Sequence, residues 1–356
     1  MKFSRVTYIL GSVVVALTLA GGGTAFAANR SSAPNSLTRA QWQEEINNVS
    51  QPGRGCFHAT YPSLKWQATR CLVAPKDPLV PQVSRGGPQT VGNGDDYSAE
   101  VSGKISKATG KFTNVSSKLK EKGQIDDTGS QIKNAFSLQL NTEFFSGSAA
   151  CNGAAEPSEC LAWQQFVYAY GVGNGGQNLI FMQYWLLYYD TTCPAGWYTY
   201  NASPYTFCYT NSNAVVFGSL PAKDLGDTAL VGKAKSGHND SVSLTNSATG
   251  DAASVSNSDS EVDLAASWNT AEWGVFGDAG GGEANFGANS TLEAVTVIKA
   301  TSSSAPTCEA DDGFTGETNN LNFTNTPALG SVSSPTMGVE QTDGTVSSGT
   351  DCQVAS

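Results

Sequence analysis

Histidine is nearly absent from this chain of 356 residues, which contains only His58 and His238. A Ser-His-Asp or Cys-His catalytic site would need one of them, and neither lies beside a nucleophile motif. Two histidines are also too few for a histidine-based zinc site. We therefore expect both histidines to lie on the surface.

The chain also lacks a Cys-x-x-Cys pair, which argues against a cysteine-bound metal. Its eight cysteines are an even number, as is typical of exported proteins whose cysteines form disulfides. The simplest of the many pairings joins cysteines that are neighbours in the sequence. It predicts the disulfides Cys56–Cys71, Cys151–Cys160, Cys193–Cys208 and Cys308–Cys352.

Beyond the N-terminus, no apolar run approaches the roughly 20 residues that a membrane helix needs. The N-terminus itself follows the export pattern. Lys2 and Arg5 precede an apolar stretch over residues 6–20, and Ala25-Phe26-Ala27 is a small-x-small cleavage site. We predict that residues 1–27 are a signal peptide, and that the protein is secreted as a monomer with no membrane span.

Basic residues are outnumbered, with 20 Lys and Arg against 31 Asp and Glu. Residues 28–90 hold seven basic and three acidic residues, whereas residues 91–356 hold 11 basic and 28 acidic ones. A body this acidic is a poor match for nucleic acid or an anionic membrane. The basic segment is either a pro-segment that docks electrostatically or a small subdomain at the edge of the main domain, and we favour the subdomain.

Helical periodicity is confined to residues 40–48, where Trp42 and Ile46 lie four apart and Thr38 is suited to cap the N-terminus. The Pro- and Gly-rich stretch over residues 73–91 is typical of a linker. The sequence therefore predicts a disulfide-closed leader over 28–90, a main domain over 91–300 and a C-terminal tail over 301–356.

β-rich runs separated by Gly, Asn, Asp and Ser recur from residue 97 onward, as in an all-β sandwich or barrel. The clearest predicted strands are 136–144, 163–170, 179–189, 214–217, 229–234, 241–245, 268–276 and 292–298. The glycine-rich segments 171–176 and 280–282 lie between strands, so we interpret them as turns rather than phosphate-binding loops. The pairs Asp95-Asp96 and Asp311-Asp312 lack the spacing of a calcium loop, and we expect them to be solvated.

Polar side chains interrupt strand faces that are otherwise apolar. Gln139 and Asn141 share one face of their strand, and Gln183 is the one amide in a strand that is apolar on both faces. Glu272 lies mid-strand in an aromatic stretch and, by alternation, shares a face with Trp268. Such surroundings are expected to raise the pKa of Glu272 and fix its orientation, as a general acid or base requires.

The run Ala271-Glu-Trp-x-Val, on a late strand of an acidic all-β chain, resembles the motif around the catalytic glutamate of the eqolisin-type glutamic endopeptidases. The resemblance extends over about residues 95–300 and includes the strands over 162–167 and 181–189. It implies a concanavalin-like or jelly-roll β-sandwich and an acid-acting endopeptidase that needs no cofactor and acts on polypeptides.

The resemblance also implies which residues act. Glu272 would be the base that activates water, and an earlier glutamine would stabilise the oxyanion. The matching position is Gln165 or Gln164, and we favour Gln165 because the aromatic residues beside it can then pack in the core. Gln183 is the third candidate. The residues expected to bind substrate are Trp185, Trp268, Tyr184 and Gln139.

Two other functions fit the same sequence. A non-catalytic sandwich could bind a polysaccharide or another cell-surface ligand, because Trp and Tyr offer flat faces on which sugar rings stack. A glycosidase would instead pair Glu272 with Glu143, with the separation of the two carboxylates deciding its stereochemistry.

Overall fold

The computed structural model describes residues 37–82, 91–126, 129–173, 175–324, 327–344 and 352–356. The predicted signal peptide, the start of the leader and the end of the linker (83–90) lie outside the described residues. Within the described ranges, no helix is both long enough and apolar enough to cross a membrane.

Helix α1 (Arg39–Asn48) confirms the helix predicted over residues 40–48. The Thr38 hydroxyl accepts a hydrogen bond from the Gln41 N–H at 3.2 Å, and the Gln41 side chain accepts one from the Thr38 N–H at 2.9 Å. This reciprocal capping box fixes the helix start. Trp42 and Ile46 are fully buried and pack with Phe57, so the helix is held on the fold by its apolar face.

The described residues contain 24 strands. In chain order they are β1 (Gly55–Thr60), β2 (Gln67–Thr69), β3 (Leu72–Val73), β4 (Ser98–Glu100), β5 (Ile105–Thr113), β6 (Glu121–Gly123), β7 (Ile132–Lys133), β8 (Ser137–Thr142), β9 (Leu161–Gly173), β10 (Gln177–Leu187), β11 (Tyr198–Ala202), β12 (Tyr205–Asn211), β13 (Asn213–Phe217), β14 (Thr228–Lys233), β15 (Asn239–Asn246), β16 (Asp251–Ser258), β17 (Thr270–Phe276), β18 (Glu283–Phe286), β19 (Thr291–Ala300), β20 (Thr307–Glu309), β21 (Thr318–Asn319), β22 (Asn322–Phe323), β23 (Thr336–Thr342) and β24 (Cys352–Ala355). Short 3-10 helices cover Ala149–Gly153, Ala222–Asp227, Asp259–Glu261 and Leu264–Ala266.

Two antiparallel sheets of ten strands each form a sandwich, which confirms the predicted fold class. The first sheet has the order β2-β1-β16-β15-β14-β5-β19-β23-β22, with β24 also paired to β23. The second has the order β11-β12-β10-β9-β8-β17-β4-β20, with β13 paired to both β10 and β3. A small third sheet, β21-β18-β6-β7, was not predicted.

The eight strands predicted from the sequence are all present, with ends shifted by up to three residues. The glycine-rich segment between β9 and β10 joins two antiparallel neighbours, as a turn does. Both histidines are exposed, as predicted.

The main core lies between the two large sheets, where aromatic side chains of one sheet cover glycines of the other. The ring of Trp273 lies over Gly110, so close that a Cβ there would be 2.1 Å from a ring carbon. Phe166 covers Gly232 in the same way, at 2.6 Å. The absence of a side chain at these positions lets the sheets approach around the large rings.

The four disulfides are those predicted from the order of the cysteines: Cys56–Cys71, Cys151–Cys160, Cys193–Cys208 and Cys308–Cys352. They fit an extracellular protein. Strand pairing crosses the predicted segment boundaries, because β1 of the leader pairs with β16 and β23 of the tail pairs with β19. Leader and tail thus both contribute strands to the first sheet.

Candidate functional site

A row of polar side chains crosses the second sheet on the face directed away from the first sheet. Its members are direct register partners on neighbouring strands and therefore point to the same side. They are Glu272 on β17, Asn141 on β8, Gln165 on β9, Gln183 on β10 and Asn211 on β12, and we call them the polar row. All but Asn211 are completely buried.

Glu272 is held by hydrogen bonds at the centre of β17. Its Oε2 accepts one from Asn141 Nδ2 at 2.8 Å and one from the Phe314 N–H at 3.1 Å. The first donor comes from the neighbouring strand and the second from a loop 42 residues further along the chain. The carboxylate therefore has a fixed orientation.

The second oxygen of Glu272 faces Asp96. We expected Asp96 to be solvated, and this was wrong, because only 3% of its surface is exposed. Strand β4 lies beside β17 with Ser98 opposite Glu272, which brings the residues just before β4 to the carboxylate. The approach also depends on Gly313, where a Cβ would lie 3.1 Å from both Asp96 Oδ2 and Glu272 Oε1.

The ionisations of these two buried carboxyl groups depend on each other. Burial raises the pKa of Asp96 well above its usual range, and the charge of Glu272 raises it further. Burial also raises the pKa of Glu272, while hydrogen bonds from Asp96, Asn141 and the Phe314 N–H favour its charged form. Burial therefore favours the protonated form of both carboxyl groups, and more strongly at Asp96 than at Glu272.

The amides of the row form a connected chain of hydrogen bonds. Gln139 Oε1 accepts from Asn141 Nδ2 at 3.2 Å and from Gln165 Nε2 at 3.1 Å. Trp185 Nε1 donates to Gln165 Oε1 at 3.3 Å and to Gln183 Oε1 at 3.0 Å. An indole N–H can only donate, so the amide atoms of Gln165 and Gln183 that face it are the oxygens. The Nε2 donor of Gln165 consequently points toward the Glu272 side of the row.

Of the two adjacent glutamines on β9, only Gln165 lies on the face of Glu272. Gln164 points into the core between the sheets, where its Nε2 lies 3.7 Å from the sulfur of Met182. The structure also brings three other expected residues to the face of the row, namely Gln183, Gln139 and Trp185.

Two residues expected to bind substrate lie in the core instead. Trp268 precedes β17, so strand alternation does not extend to it, and its ring packs 5.5 Å from that of Phe166. Tyr184 points to the opposite side of β10 from Gln183, and its hydroxyl accepts a hydrogen bond from Asn257 at 3.2 Å.

Glu143, the partner in the glycosidase hypothesis, is half-buried just beyond β8. Burial and the charge of Glu100 raise its pKa to about 7. The carboxyl group that forms a hydrogen bond with Glu272, however, is that of Asp96.

A segment of the leader, residues 74–82, lies across the row, and we call it the strap. It is held through its main chain. Asn211 Nδ2 donates to the Pro75 carbonyl at 2.7 Å, the Tyr209 hydroxyl donates to the Lys76 carbonyl at 2.7 Å, and the Leu79 N–H donates to Gln183 Oε1 at 2.9 Å. The face of the polar row therefore holds the main chain of the strap by hydrogen bonds.

A second segment, residues 312–317, covers the Glu272 end of the row, and we call it the C-terminal loop. It pairs with the strap, because the Gln82 N–H donates to the Phe314 carbonyl and the Gly316 N–H donates to the Val80 carbonyl, both at 2.8 Å. Its Glu317 accepts hydrogen bonds from the Val80 N–H at 2.8 Å and from Gln139 Nε2 at 3.3 Å. Together the two segments close the row to solvent.

Sequence reasoning missed Asp96, Glu317 and the Phe314 N–H as parts of this site. Each lies outside the strands predicted from the sequence, and only the pairing of distant segments brings them to the face of the polar row. Among the described residues there is no group of three or more His, Cys, Asp or Glu side chains that could hold a metal ion.

No protein-family model and no curated protein matches the chain. Among solved structures it is similar to scytalido-glutamic peptidase with a transition state analogue inhibitor, at 16% identity and a TM-score of 0.23. It is also similar to SCP-B, a member of the Eqolisin family, in complex with the tripeptide Ala-Ile-His, at 17% identity and a TM-score of 0.22. Each alignment covers 64% of this chain and 99% of the other. The likeness is distant and does not identify functional residues.

Proposed function

We propose that the protein is a secreted, acid-acting endopeptidase in which Glu272 activates water and Gln165 stabilises the oxyanion. The observation that carries this proposal is the strap. The face that presents Glu272 holds the strap by hydrogen bonds to main-chain carbonyl and N–H groups. Any extended peptide offers the same groups, so the face is suited to bind a polypeptide of varied sequence.

The chemistry follows from the arrangement of the row. Ionised Glu272 takes a proton from the water that attacks the scissile carbonyl and later returns it to the leaving amine. The Nε2 group of Gln165 donates a hydrogen bond to the oxyanion of the tetrahedral intermediate. Asp96 keeps its proton and fixes the second oxygen of Glu272. The step needs no redox partner, and the proton that leaves the water ends on the product amine.

Substrate reaches Glu272 only after the strap and the C-terminal loop have moved, because the row is buried. Leu79 anchors the strap, since its side chain is 1% exposed and packs with Val167 and Phe181. A polar group at this position disfavours the covered state even when it is protonated, because burying it without a hydrogen-bond partner is costly. Leu79→Asp is therefore expected to open the face without touching the residues of the row.

The test compares four proteins without the signal peptide: wild type, Leu79→Asp, and each of these with Glu272→Gln. Cleavage of an unfolded protein substrate is measured near pH 4 and pH 7. We expect cleavage at pH 4 that increases in Leu79→Asp and disappears with Glu272→Gln. The exposed Glu159 provides a matched control, since Glu159→Gln removes the same charge away from the row.

Circular dichroism establishes that each protein is folded at the assay pH. If folded wild type and folded Leu79→Asp both fail to cleave at either pH, the endopeptidase proposal is refuted. The same follows if cleavage persists in the Glu272→Gln proteins.

A non-catalytic binding protein is the second candidate, and exposed aromatic rings support it. Tyr198 and Tyr205, on β11 and β12, are 37% and 46% exposed. Tyr188 packs edge-on against Tyr205 with ring centroids 4.9 Å apart, which holds that ring in place. Rigid exposed rings are suited to stack on sugars. Retention of the protein on an insoluble polysaccharide, and its loss in Tyr205→Ala, would favour this function.

A further inference from the structure

Three lysines lie side by side on the face of the first sheet that also carries helix α1. Lys233 on β14 is the register partner of Lys107 on β5, and Lys107 is the register partner of Lys299 on β19. Directly opposed side chains on one sheet face are about 5 Å apart at Cβ, and like charges there destabilise the sheet. Three adjacent ammonium groups are notable in a chain with 31 acidic and 20 basic residues.

The three lysines line a cavity of about 680 Å³. Lys235 and His238, in the turn between β14 and β15, also line it. The cavity has no Asp or Glu in the part of its wall that the structure describes, and the other polar residues of the wall are Asn, Gln and Ser. It is a basic cavity, and its volume is within the range of about 300–1,000 Å³ that small-molecule sites occupy.

The neighbouring helix explains only part of this cluster. Lys107 Nζ donates to Asn48 Oδ1 at 2.7 Å, and Lys233 Nζ donates to the Val49 carbonyl at 3.1 Å. Both acceptors lie at the C-terminal end of α1, where cations interact favourably with the helix dipole. These acceptors are neutral, and they do not account for the presence of Lys299 or Lys235 in the wall.

The carboxylate of Glu44 raises the pKa of Lys107. Its ion pair, however, is with Lys111, at 3.4 Å. Burial, together with the charges of Lys107 and Lys299, lowers the pKa of Lys233 to about 8. An anion bound in the cavity would relieve the repulsion between these ammonium groups.

We infer that the basic cavity binds a small polyanion carrying phosphate or sulfate groups. Tetrahedral oxyanions accept charge-assisted hydrogen bonds from several ammonium groups at once, which matches three lysines in one row. The cavity is on the first sheet and the polar row is on the second, so this inference does not depend on the proposed endopeptidase function.

The experiment uses isothermal titration calorimetry on the chain without its signal peptide, at pH 6 and fixed ionic strength. Tripolyphosphate and a sulfated disaccharide are the two probes, and sodium chloride is the blank. We expect saturable binding of at least one probe, weakened about tenfold or more by Lys299→Gln and by Lys235→Gln. Both side chains are exposed, so these variants are expected to fold, which thermal unfolding checks.

Lys65 is the control, because it is exposed and does not line the cavity. Lys65→Gln is expected to bind the probe as wild type does. Preference for one probe would identify the phosphate or the sulfate class as the ligand. The inference is overturned if neither probe binds saturably, or if Lys65→Gln weakens binding as much as Lys299→Gln does.

Discussion

The carboxyl group of Glu121 provides a test of how burial makes the stability of this fold depend on pH. Glu121 lies on β6 and is 1% exposed, and the main-chain groups of Asn134 and Asn285 near its carboxyl group lower its pKa only slightly. Burial, and next the charge of Asp278, raise the pKa of Glu121 from 4.5 to about 9. The native state therefore keeps this proton over a pH range in which the unfolded chain has lost it.

The change of stability with pH follows from the difference between the pKa values of Glu121 in the folded and unfolded states. Below pH 4.5 the group is protonated in both states, and its contribution to stability is fully present. As the pH rises toward the folded pKa, the free energy of unfolding falls by about 1.4 kcal/mol per unit. By pH 7 the loss is about 3 kcal/mol. Glu121→Gln cannot ionise, so the variant should gain about that much stability over wild type between pH 4 and pH 7.

Urea unfolding at pH 4, 5, 6 and 7 measures this gain as a difference between the two pH profiles. Taking the difference removes any constant effect of the amide on packing. The exposed Glu159 again serves as the control, and Glu159→Gln should follow the wild-type profile. Parallel profiles for Glu121→Gln and wild type would refute the reasoning, because they would mean that Glu121 ionises in the folded protein near its usual pKa.

Three further substitutions test the site and the core. Gln165→Ala removes the oxyanion donor, so kcat should fall about 100-fold or more with little change in KM; a change in KM alone would contradict its role. Asp96→Asn keeps an N–H donor for Glu272 but cannot ionise, so its stability in urea relative to wild type should rise from pH 4 to pH 7, and a constant difference would argue against the raised pKa of Asp96. Gly110→Ala places a methyl group against Trp273 and should cost about 1–3 kcal/mol, seen as a lower Tm; an unchanged Tm would show that the sheets can separate freely.

The strands could be predicted because alternation is a local property. The sequence placed Gln139 and Asn141 on one face of β8, and the structure has both on the face of the polar row. Local pattern does not give the order of strands in a sheet or their register. Strand β8 lies between β17 and β9, and this position aligns Glu272, Asn141 and Gln165. The order of these strands is set by pairings between segments far apart in the chain.

The residues that were missed or misplaced show where local pattern stops. Trp268 was assigned to the face of Glu272 by extending alternation two residues before the strand begins. Asp96 and Glu317 lie in segments that contain Pro, Gly, Ser or Asp and carry no strand pattern. For this reason Asp96 was expected to be solvated and Glu317 was not considered. Their burial results from the strap and the C-terminal loop pairing over the second sheet, a tertiary contact.

Burial links the proposed chemistry of this fold to its proposed preference for acid. Burial raises the pKa of Asp96, Asp278 and Glu121. These carboxyl groups therefore tend to keep their protons and favour the folded state at low pH. Burial raises the pKa of Glu272 as well, but hydrogen bonds from Asp96, Asn141 and the Phe314 N–H favour its charged form. The strap keeps this base from solvent, so removal of the strap should affect activity and pH stability together.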